Sequence, residues 1–564
     1  MLCGRMSGLL REMPVLVLDC QAGGATPAHG DLLELGWAIS GPDGIAGPVR
    51  GHWIVPRTSR RVPGPIRELT GWSEACVAEA VPEHEAWAAL RGDTEHWLTA
   101  PPVPTVIHFA RFELTFLRDL HERLGHGAFP FDARCLHAIA ERLFPDLPRR
   151  NIRALAGFLG HSPELMRRSA GHVEASAFIW RAVVPRLEEL GVATWDALTE
   201  WLAQPRTVTR SKRRVYPLAP ERRRALPDRP GVYRFLRRNN DLLYVGKAAS
   251  LKKRIAGHFK SSGPTTERGL ELLTQVHSID FTETASILEA ALLETDEIKR
   301  LDPPYNVALR TGERRAWFSS PDLLDAVCAP DAAHPIGPLP SPRSVTGMAA
   351  LIALAAGAPR SPGLRAIALS VPRQYLPDDG LFDEGWQLFE QEHLASDLPL
   401  SAARRVDRAS RALWRLRGRS EPDSGPEDAP PDFWDLARVK RRLERNLVSS
   451  GLLLRRARWL SLLADADIAY RERAMSRARG LIVAQGEIRE RCDLDAISDV
   501  STLPVRRARS RRERQLAFDA ATYDRLRVLT TELLRVRADG GELSLRFGAH
   551  NYTGQRLEQL MSAV

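Results

Sequence analysis

The stretch LPDRPGVYRFLRRNNDLLYVGKAASLKKRIAGHF, residues 226–259, constrains the fold more than any other part of this 564-residue chain. Two short apolar runs, Val232–Leu236 and Leu242–Val245, flank the polar segment Arg237–Asp241, which predicts a β-hairpin. Each run carries a tyrosine, Tyr233 and Tyr244. Gly246 closes the second run, Lys247 follows, and a helix bearing Arg254 is expected from about Ser250. Farther on, ILEAALLETDEIKRLDPPYNV predicts a helix with Glu289 and Glu294, a stop at Pro303-Pro304, and then Asn306.

This residue set suits hydrolysis of a phosphodiester. One carboxylate, Glu294, is enough to hold a Mg²⁺ that keeps much of its water shell, and such an ion stabilises a leaving oxyanion. Arg254 suits the scissile phosphate. Tyr244 is the candidate base for water. A free tyrosine with a pKa near 10 is only about one part in a thousand ionised at neutral pH, so it needs help from Lys247 or a metal-bound hydroxide. Taken singly, Tyr233 reads as a half-buried strand aromatic, Glu289 as a surface or helix-start residue, and Lys247 with Lys252–Arg254 as a solvated face.

GVY (231–233) and YVG (244–246) resemble the motif pair of the GIY-YIG endonuclease family. The likeness extends through Lys247-Ala248, Leu251, Arg254, the LLE ending at Glu294, Ile298-Lys299 and Tyr305-Asn306-Val307. In order and spacing it resembles the N-terminal nuclease of the UvrC-type excinucleases and the shorter homologues that make only the 3′ incision. The resemblance implies a catalytic site of Tyr233, Tyr244, Lys247, Arg254, Glu294 and Asn306, with Mg²⁺ or Mn²⁺ on Glu294.

Upstream, VLVLDCQAGG (15–24) reads as a buried strand, Val15–Leu18, that delivers Asp19 at its end before a glycine turn. Further strands are expected at Leu33–Ile39 and Thr105–Phe109, with helices at Phe112–Leu124, Arg134–Leu143, Ile152–Leu159 and Val173–Leu190, an α/β pattern. Residues 14–190 resemble the 3′–5′ exonuclease fold of the DNA polymerase III epsilon type, through the strand ending at Asp19, IHFARFELTFL (107–117), ARCLHAIAERLFP (133–145) and NIRALAGFLG with RRSAGHVEASAFIW (151–180). That family uses four acids and one histidine. Here the Asp-x-Glu of the first strand is Asp19-Cys20-Gln21, the second acid is Glu113, the histidine position falls on Arg167, and the last aspartate position falls on His172. Gln21 is neutral, and His172 is a poor ligand for Mg²⁺. A cation at Arg167 would cost about 4 kcal/mol against a like charge 4 Å away at an effective dielectric of 20, unless it swings away. The expectation is a degenerate metal site on a kept fold, left to bind DNA or a partner or to brace the nuclease. The competing reading is one different metal held by Asp19, Glu113 and His172.

The formal charge of +10 and pI near 9.6 favour a polyanionic partner. Clustering sharpens this: Arg206–Arg224 holds eight basic residues against Glu221, and Arg506–Arg514 holds six against Glu513. Arg206, Arg210, Lys212, Arg213 and Arg214, with Lys252 and Lys253, are the candidate DNA contacts, giving salt-sensitive, sequence-independent affinity; a solvated tether is the alternative. The six cysteines form no CxxC, so neither zinc nor a disulfide framework is indicated, which fits a cytoplasmic location. The longest apolar run, Val345–Ala358, is too short to span a bilayer and is expected to be a buried helix.

The whole is expected to be an α/β multidomain chain: an RNase H-like exonuclease fold at 14–195, a basic linker at 196–225, a small α/β GIY-YIG domain at 226–310, an Ala/Pro-rich region at 311–419, an acidic Pro-rich linker at 420–432, and a mostly helical, Arg-rich region at 433–564. The last is expected to bury Trp434 and Trp459 and to end in a strand, Glu542–Phe547. It shows neither the acidic constellation of a second nuclease nor a helix-hairpin-helix pattern, so 311–564 has no assigned role. The expected function is a metal-dependent DNA endonuclease with a single GIY-YIG site, making the 3′ incision of nucleotide excision repair with a damage-recognition loading protein as partner; exonuclease activity is not expected. The alternatives are a DNA-binding scaffold with two relic nuclease folds, and a working exonuclease with unusual ligands.

Overall fold

The computed structural model describes residues 8–561 apart from 59, 98–101, 126, 162–165, 206–213, 261–265, 308, 310–314, 418–433, 505–508, 511–512 and 515–517. The chain divides into two compact units: Met1–Arg229 with Tyr233–Thr282 and Pro303–Tyr305, and Pro230–Val232 with Glu283–Asp302 and Asn306–Val564.

In the first unit, β1 (Val15–Ala22), β2 (Leu32–Gly41) and β3 (Gly44–Trp53) form an antiparallel meander. After α1 (Gly64–Thr70) and α2 (Glu83–Trp97), β4 (Val103–Ile107) joins parallel to β1; after α3 (Ala110–Leu124), β5 (Phe131–Cys135) joins parallel to β4. Then come α4 (Leu136–Leu143), α5 (Ile152–Leu159), α6 (Ser169–Glu189) and α7 (Trp195–Ala203). The sheet order β3-β2-β1-β4-β5 is that of the expected RNase H-like fold. Period-2 alternation explains the apolar run in β1. Val15 and Val17 enter one core with Val106 and Val173, while Leu16, Leu18 and Cys20 enter the other with Leu117 and Leu120. Each such side chain contributes about 1.5–3 kcal/mol on burial. β1 runs past the expected end at Leu18, because Asp19, Cys20 and Gln21 go on pairing with Gly36, Leu35 and Glu34. Likewise Arg134 and Cys135, expected to begin a helix, end β5 beside Val106 and Ile107.

The same unit holds α8 (Pro220–Arg224), β6 (Gly231–Leu236), β7 (Leu242–Ala248), α9 (Leu251–His258), α10 (Glu267–Gln275) and β8 (Ser278–Glu283), with the strands in the order β7-β6-β8. The expected hairpin is closed by the Arg237 amide donating to the Asp241 carbonyl at 2.9 Å, with Asn240 left-handed at φ 68°. Ser250 caps α9 by accepting from the Lys253 amide. The described part of 196–225 is more than a tether: Leu218 is fully buried in the core of this small domain, and the Arg223 guanidinium lies 4.7 Å from the Phe259 ring. α10 docks on α5, where Asn151 Nδ2 donates to Glu271 Oε2 at 2.7 Å and Phe158 meets the His277 ring at 5.6 Å.

The second unit opens with α11 (Ile287–Leu301) and a small sheet of β9 (Trp317–Ser319), β10 (Ala326–Val327) and β11 (Ile336–Leu339). The Ala/Pro-rich region then folds as α12 (Thr346–Ala355), α13 (Pro362–Leu369), α14 (Asp379–Phe389) and α15 (Ala402–Arg417). These share a core with α16 (Leu436–Leu463) built on Leu351, Phe382, Trp386, Val406 and Leu447. The buried helix expected at Val345–Ala358 is α12. Next come β12 (Asp467–Arg471), β13 (Ala478–Ala484), β14 (Glu487–Leu494), α17 (Ala520–Ala538), β15 (Glu542–Phe547), β16 (His550–Tyr552) and α18 (Gly554–Met561). The long helices and the strand at Glu542–Phe547 were expected; the strand belongs to an unforeseen antiparallel sheet, β14-β13-β12-β15-β16. Trp459 is buried as expected, whereas Trp434 is half-buried and donates Nε1–H to the Tyr375 carbonyl. The acidic stretch 420–432 lies outside the described residues. Among the described residues no helix is long and apolar enough to cross a membrane.

Candidate active sites

Tyr233, on β6, is fully buried, beyond the half-burial expected, and its Oη is hydrogen-bonded to His258 Nε2 at 2.8 Å. His258 ends α9 four residues after Arg254, the spacing that puts two side chains on one helix face. Burial, and then the Arg254 charge, push the His258 pKa down to about 4, so the imidazole is neutral at pH 7. The Tyr244 ring lies 6.0 Å from that of Tyr233. Gly246 permits the cluster: a Cβ there would fall 2.6 Å from Tyr233 Cζ and 2.7 Å from Tyr244 Cε1. Tyr244 and Lys247 are half-buried and Arg254 is exposed. His258 escaped the sequence reading; its signal was the spacing from Arg254.

Near the end of the nuclease segment, the Tyr305 amide donates to the Leu243 carbonyl at 3.1 Å. Its Oη donates to Glu271 Oε1 at 2.5 Å and accepts from Gln275 Nε2 at 2.6 Å. Burial, then the Glu271 carboxylate, push the Tyr305 phenol far up, so it stays protonated. Asn306, next along the chain, is buried.

In the second unit, Glu294 is half-buried in the middle of α11. A carboxylate oxygen on a rigid helix fits a hydrated Mg²⁺ or Mn²⁺. Glu289 lies in the first turn of that helix, as expected, but is 8% exposed and ion-paired to Arg479 at 3.0 Å.

The exonuclease-like candidates also come together. Asp19 and Gln21 share the face of β1 that Val15 and Val17 present to α6, and His172 stands on α6. His172 Nδ1 is 3.1 Å from Asp19 Oδ1, and its Nε2 is 3.1 Å from the Met166 carbonyl. Burial opposes protonation of His172, but the Asp19 carboxylate, the Met166 carbonyl and Glu34 outweigh it and raise the pKa. Glu113 accepts from the amides of Cys20 at 2.9 Å and Phe109 at 3.3 Å. Burial, and then Asp19, raise its pKa well above the carboxylate range. Gln21 Nε2 donates to the Arg167 carbonyl at 2.6 Å. The Arg167 side chain is exposed, with Cβ and Cδ beside Gly71, and it is the backbone carbonyl of Arg167 that meets Gln21. The sequence reading missed Glu34, fully buried and register partner of Gln21, which accepts from Arg168 Nε at 2.5 Å and the Ser169 amide at 2.9 Å. A lone acid inside LLELGWAISG was its signal. Two buried oxygens of the cluster, Asp19 Oδ2 and Gln21 Oε1, have no hydrogen-bond partner among the described residues.

Of the candidate DNA contacts, Arg214, Lys252 and Lys253 are exposed, with Lys253 Nζ 3.5 Å from Asp228. Arg206, Arg210, Lys212 and Arg213 lie outside the described residues.

Residues 229–307 match the family described as a UvrC-like GIY-YIG domain. A Mycobacterium tuberculosis (strain CDC 1551 / Oshkosh) protein, named as a candidate bifunctional exonuclease/endonuclease, is 27% identical over 368 residues, covering 62% of this chain and 53% of that protein. UvrABC system protein C of Neisseria meningitidis serogroup B is 37% identical over 122 residues, 22% of this chain and 19% of its own length. Among solved structures, the magnesium-bound N-terminal GIY-YIG endonuclease domain of UvrC from Thermotoga maritima is 29% identical, covering 15% of this chain and 93% of that one, with a TM-score of 0.14. The chain thus spans about half or less of these full-length relatives. Residues 229–307 are a UvrC-like GIY-YIG domain, carried in one chain with an exonuclease-like α/β domain.

Proposed function

We propose that this chain is a metal-dependent DNA endonuclease that hydrolyses a phosphodiester at a single GIY-YIG site. The observation that carries this is the match at 229–307, a span that contains Tyr233, Tyr244, Lys247, Arg254, Glu294 and Asn306 in the expected order. Glu294 would hold Mg²⁺ or Mn²⁺, whose charge stabilises a leaving oxygen. Arg254 binds the scissile phosphate through its planar fork. Tyr244 takes the proton of the attacking water, with Lys247 lowering the cost of its phenolate. Tyr233 is the packing post of the site and is held by the neutral His258; Asn306 orients the groups beside it.

The pathway we assign is the 3′ incision of nucleotide excision repair, delivered by a damage-recognition loading protein; the likeness to UvrABC system protein C supports it. The test is cleavage of end-labelled duplex DNA, with and without a bulky lesion, in Mg²⁺ or Mn²⁺. An internal cut by the wild type, lost in Glu294→Gln and kept in Asp19→Ala, is expected. Binding without a cut, with or without a loading protein, would leave a DNA-binding scaffold.

We read the exonuclease-like domain as catalytically silent. The support is the pairing of His172 with Asp19, which sets a cation-favouring imidazole where an acid is needed. Its rival is a working exonuclease through Asp19, Glu113 and His172, favoured by the partnerless oxygens of Asp19 and Gln21 and by the name of the mycobacterial relative. Mononucleotide release that disappears in Asp19→Ala would decide for the rival.

A further inference from the structure

The helix that carries Glu294 belongs by its contacts to the second unit, which grips it from end to end. At its start, Ser286 Oγ accepts from the Glu289 amide at 3.1 Å, an ordinary N-cap. The same Oγ lies 2.7 Å from Tyr470 Oη on β12. The first helical amides have no partner within a helix; here Ile287 and Leu288 donate to the Glu472 carboxylate at 3.4 and 3.2 Å. Glu472 is in turn held by Arg535 of α17 at 3.1 Å. Along the middle, Leu288 and Leu292 enter the core of Trp459, Ile468, Leu526 and Leu529. In the last turns, Asp296 pairs with Arg525 at 2.9 Å, and Lys299 with Asp524, itself 1% exposed, at 2.6 Å.

Helical geometry gives this grip a direction. At about 100° per residue, Glu289, Leu292, Asp296 and Lys299 fall within roughly 80° of one another, with Leu288 beside them. Glu294 falls about 140° from Glu289, on the other side of the helix. One face of α11 is fixed by a capping carboxylate, three ion pairs and an apolar ridge, and Glu294 stands on the opposite side of the helix.

We propose that β12, α17 and the sheet around them, in the region the sequence left without a role, form a cradle that sets the rotation and axial position of α11. Tyr470, Glu472 and Asp524 are positioning residues for the Glu294 carboxylate. This rests on Glu294 as the metal-holding residue. A carboxylate that holds a metal is sensitive to its supports: loss of such supporting contacts typically weakens metal binding by about 10–100-fold.

The test uses the full chain and three variants at separate points of the cradle, Tyr470→Phe, Glu472→Gln and Asp524→Asn. Thermal melting reports folding, hydrogen exchange over 287–301 reports the helix, electron paramagnetic resonance reports Mn²⁺ binding, and cleavage gives kcat and KM separately. In variants that melt near the wild type, the half-saturating Mn²⁺ concentration should rise by about tenfold. Exchange should quicken at the 287–289 amides in Glu472→Gln, and kcat should fall while KM for DNA holds. Arg525→Asp should share these losses, and adding Asp296→Arg should restore them. Variants with wild-type Mn²⁺ binding and kcat, while Glu294→Gln loses both, would overturn the cradle. Full Mn²⁺ binding and cleavage by Glu294→Gln would instead overturn the reading of the site.

Discussion

The two nuclease-type regions of this chain treat their polar residues in opposite ways. In the exonuclease-like domain, Asp19, Gln21, Glu34 and Glu113 are 6%, 7%, 0% and 3% exposed, and hydrogen bonds tie them to one histidine, one arginine and backbone groups. In the GIY-YIG domain, Tyr244, Lys247 and Glu294 are half-buried and Arg254 is exposed, while full burial falls on Tyr233. A carboxylate must stay ionised and reachable to hold a cation. Glu113 is 3% exposed, and burial, then Asp19, raise its pKa. The difference teaches that burial and partners set two candidate sites apart as much as residue identity does.

The largest effect should separate the two regions outright. Glu294→Gln removes the charge that holds the cation, and a loss of about 4 kcal/mol in transition-state stabilisation is on the order of a thousandfold in rate. Asp19→Ala should leave endonuclease cleavage within about twofold, since each site's energetics should be independent at a distance. Single-turnover cleavage of a labelled duplex measures both, and a large loss in Asp19→Ala would erase the contrast.

The second effect is on stability and belongs to the sealed cluster. His172→Ala leaves the buried Asp19 carboxylate without its partner, which should cost about 3 kcal/mol in urea unfolding. The pH dependence follows from signs. His172, Glu113 and Glu34 all have folded-state pKa values raised above their unfolded ones, so between the two values the folded chain binds more protons. Stability is therefore lost as pH rises: above about 4.5 for the two carboxyls and above about 6.5 for His172. Protection of the β1 amides, corrected for the hydroxide-catalysed rise of intrinsic exchange, should fall from pH 6 to 8, and His172→Ala should flatten that trend. A stability that rises with pH over this range would mean the imidazole is not the partner of Asp19.

Much of this was legible in the sequence because it rests on local pattern. The alternation in VLVLDCQA, the tyrosines at hairpin spacing and the Pro-Pro stop after α11 each have one cheap structural solution. What stayed hidden depends on long-range pairing. β14, EIRERCDL, buries only its last residue and reads as a charged helix face; pairing with β13 makes it a strand. Glu34 and His258 left only faint signals, because their partners, Arg168 and Tyr233, lie 134 and 25 residues away. The effect of Arg167 stayed conditional in the sequence because residue identity says what a side chain carries and not where it points.

A third, smaller effect probes the open site through its buried post. His258→Phe removes the hydrogen bond to Tyr233 Oη while keeping a ring of similar size. One such bond is worth about 1 kcal/mol, so kcat should fall by roughly tenfold or less, with KM for DNA unchanged. The His258 pKa of about 4 adds a check: its ring signals should not titrate between pH 5.5 and 8. Titration near 6.5 would place the histidine in water and away from Tyr233.

The smallest effect should come from the cations at the rim, and it differs in kind from the others. Arg214, Lys252 and Lys253 are exposed, so each is screened in the free protein and gains chiefly by displacing counterions from DNA phosphates. Each residue changed to alanine should weaken binding only a few-fold at physiological salt. The plot of log affinity against log salt should grow shallower by about 0.9 per lost phosphate contact on duplex DNA. kcat on saturating DNA should stay at the wild-type value, since these side chains bring the substrate in and do not touch the reacting atoms. Because Lys253 lies near Asp228, part of its charge is already answered, and its alanine variant should show the least change in slope. A variant that lowers kcat with an unchanged salt slope would move that residue from the rim into the reacting site.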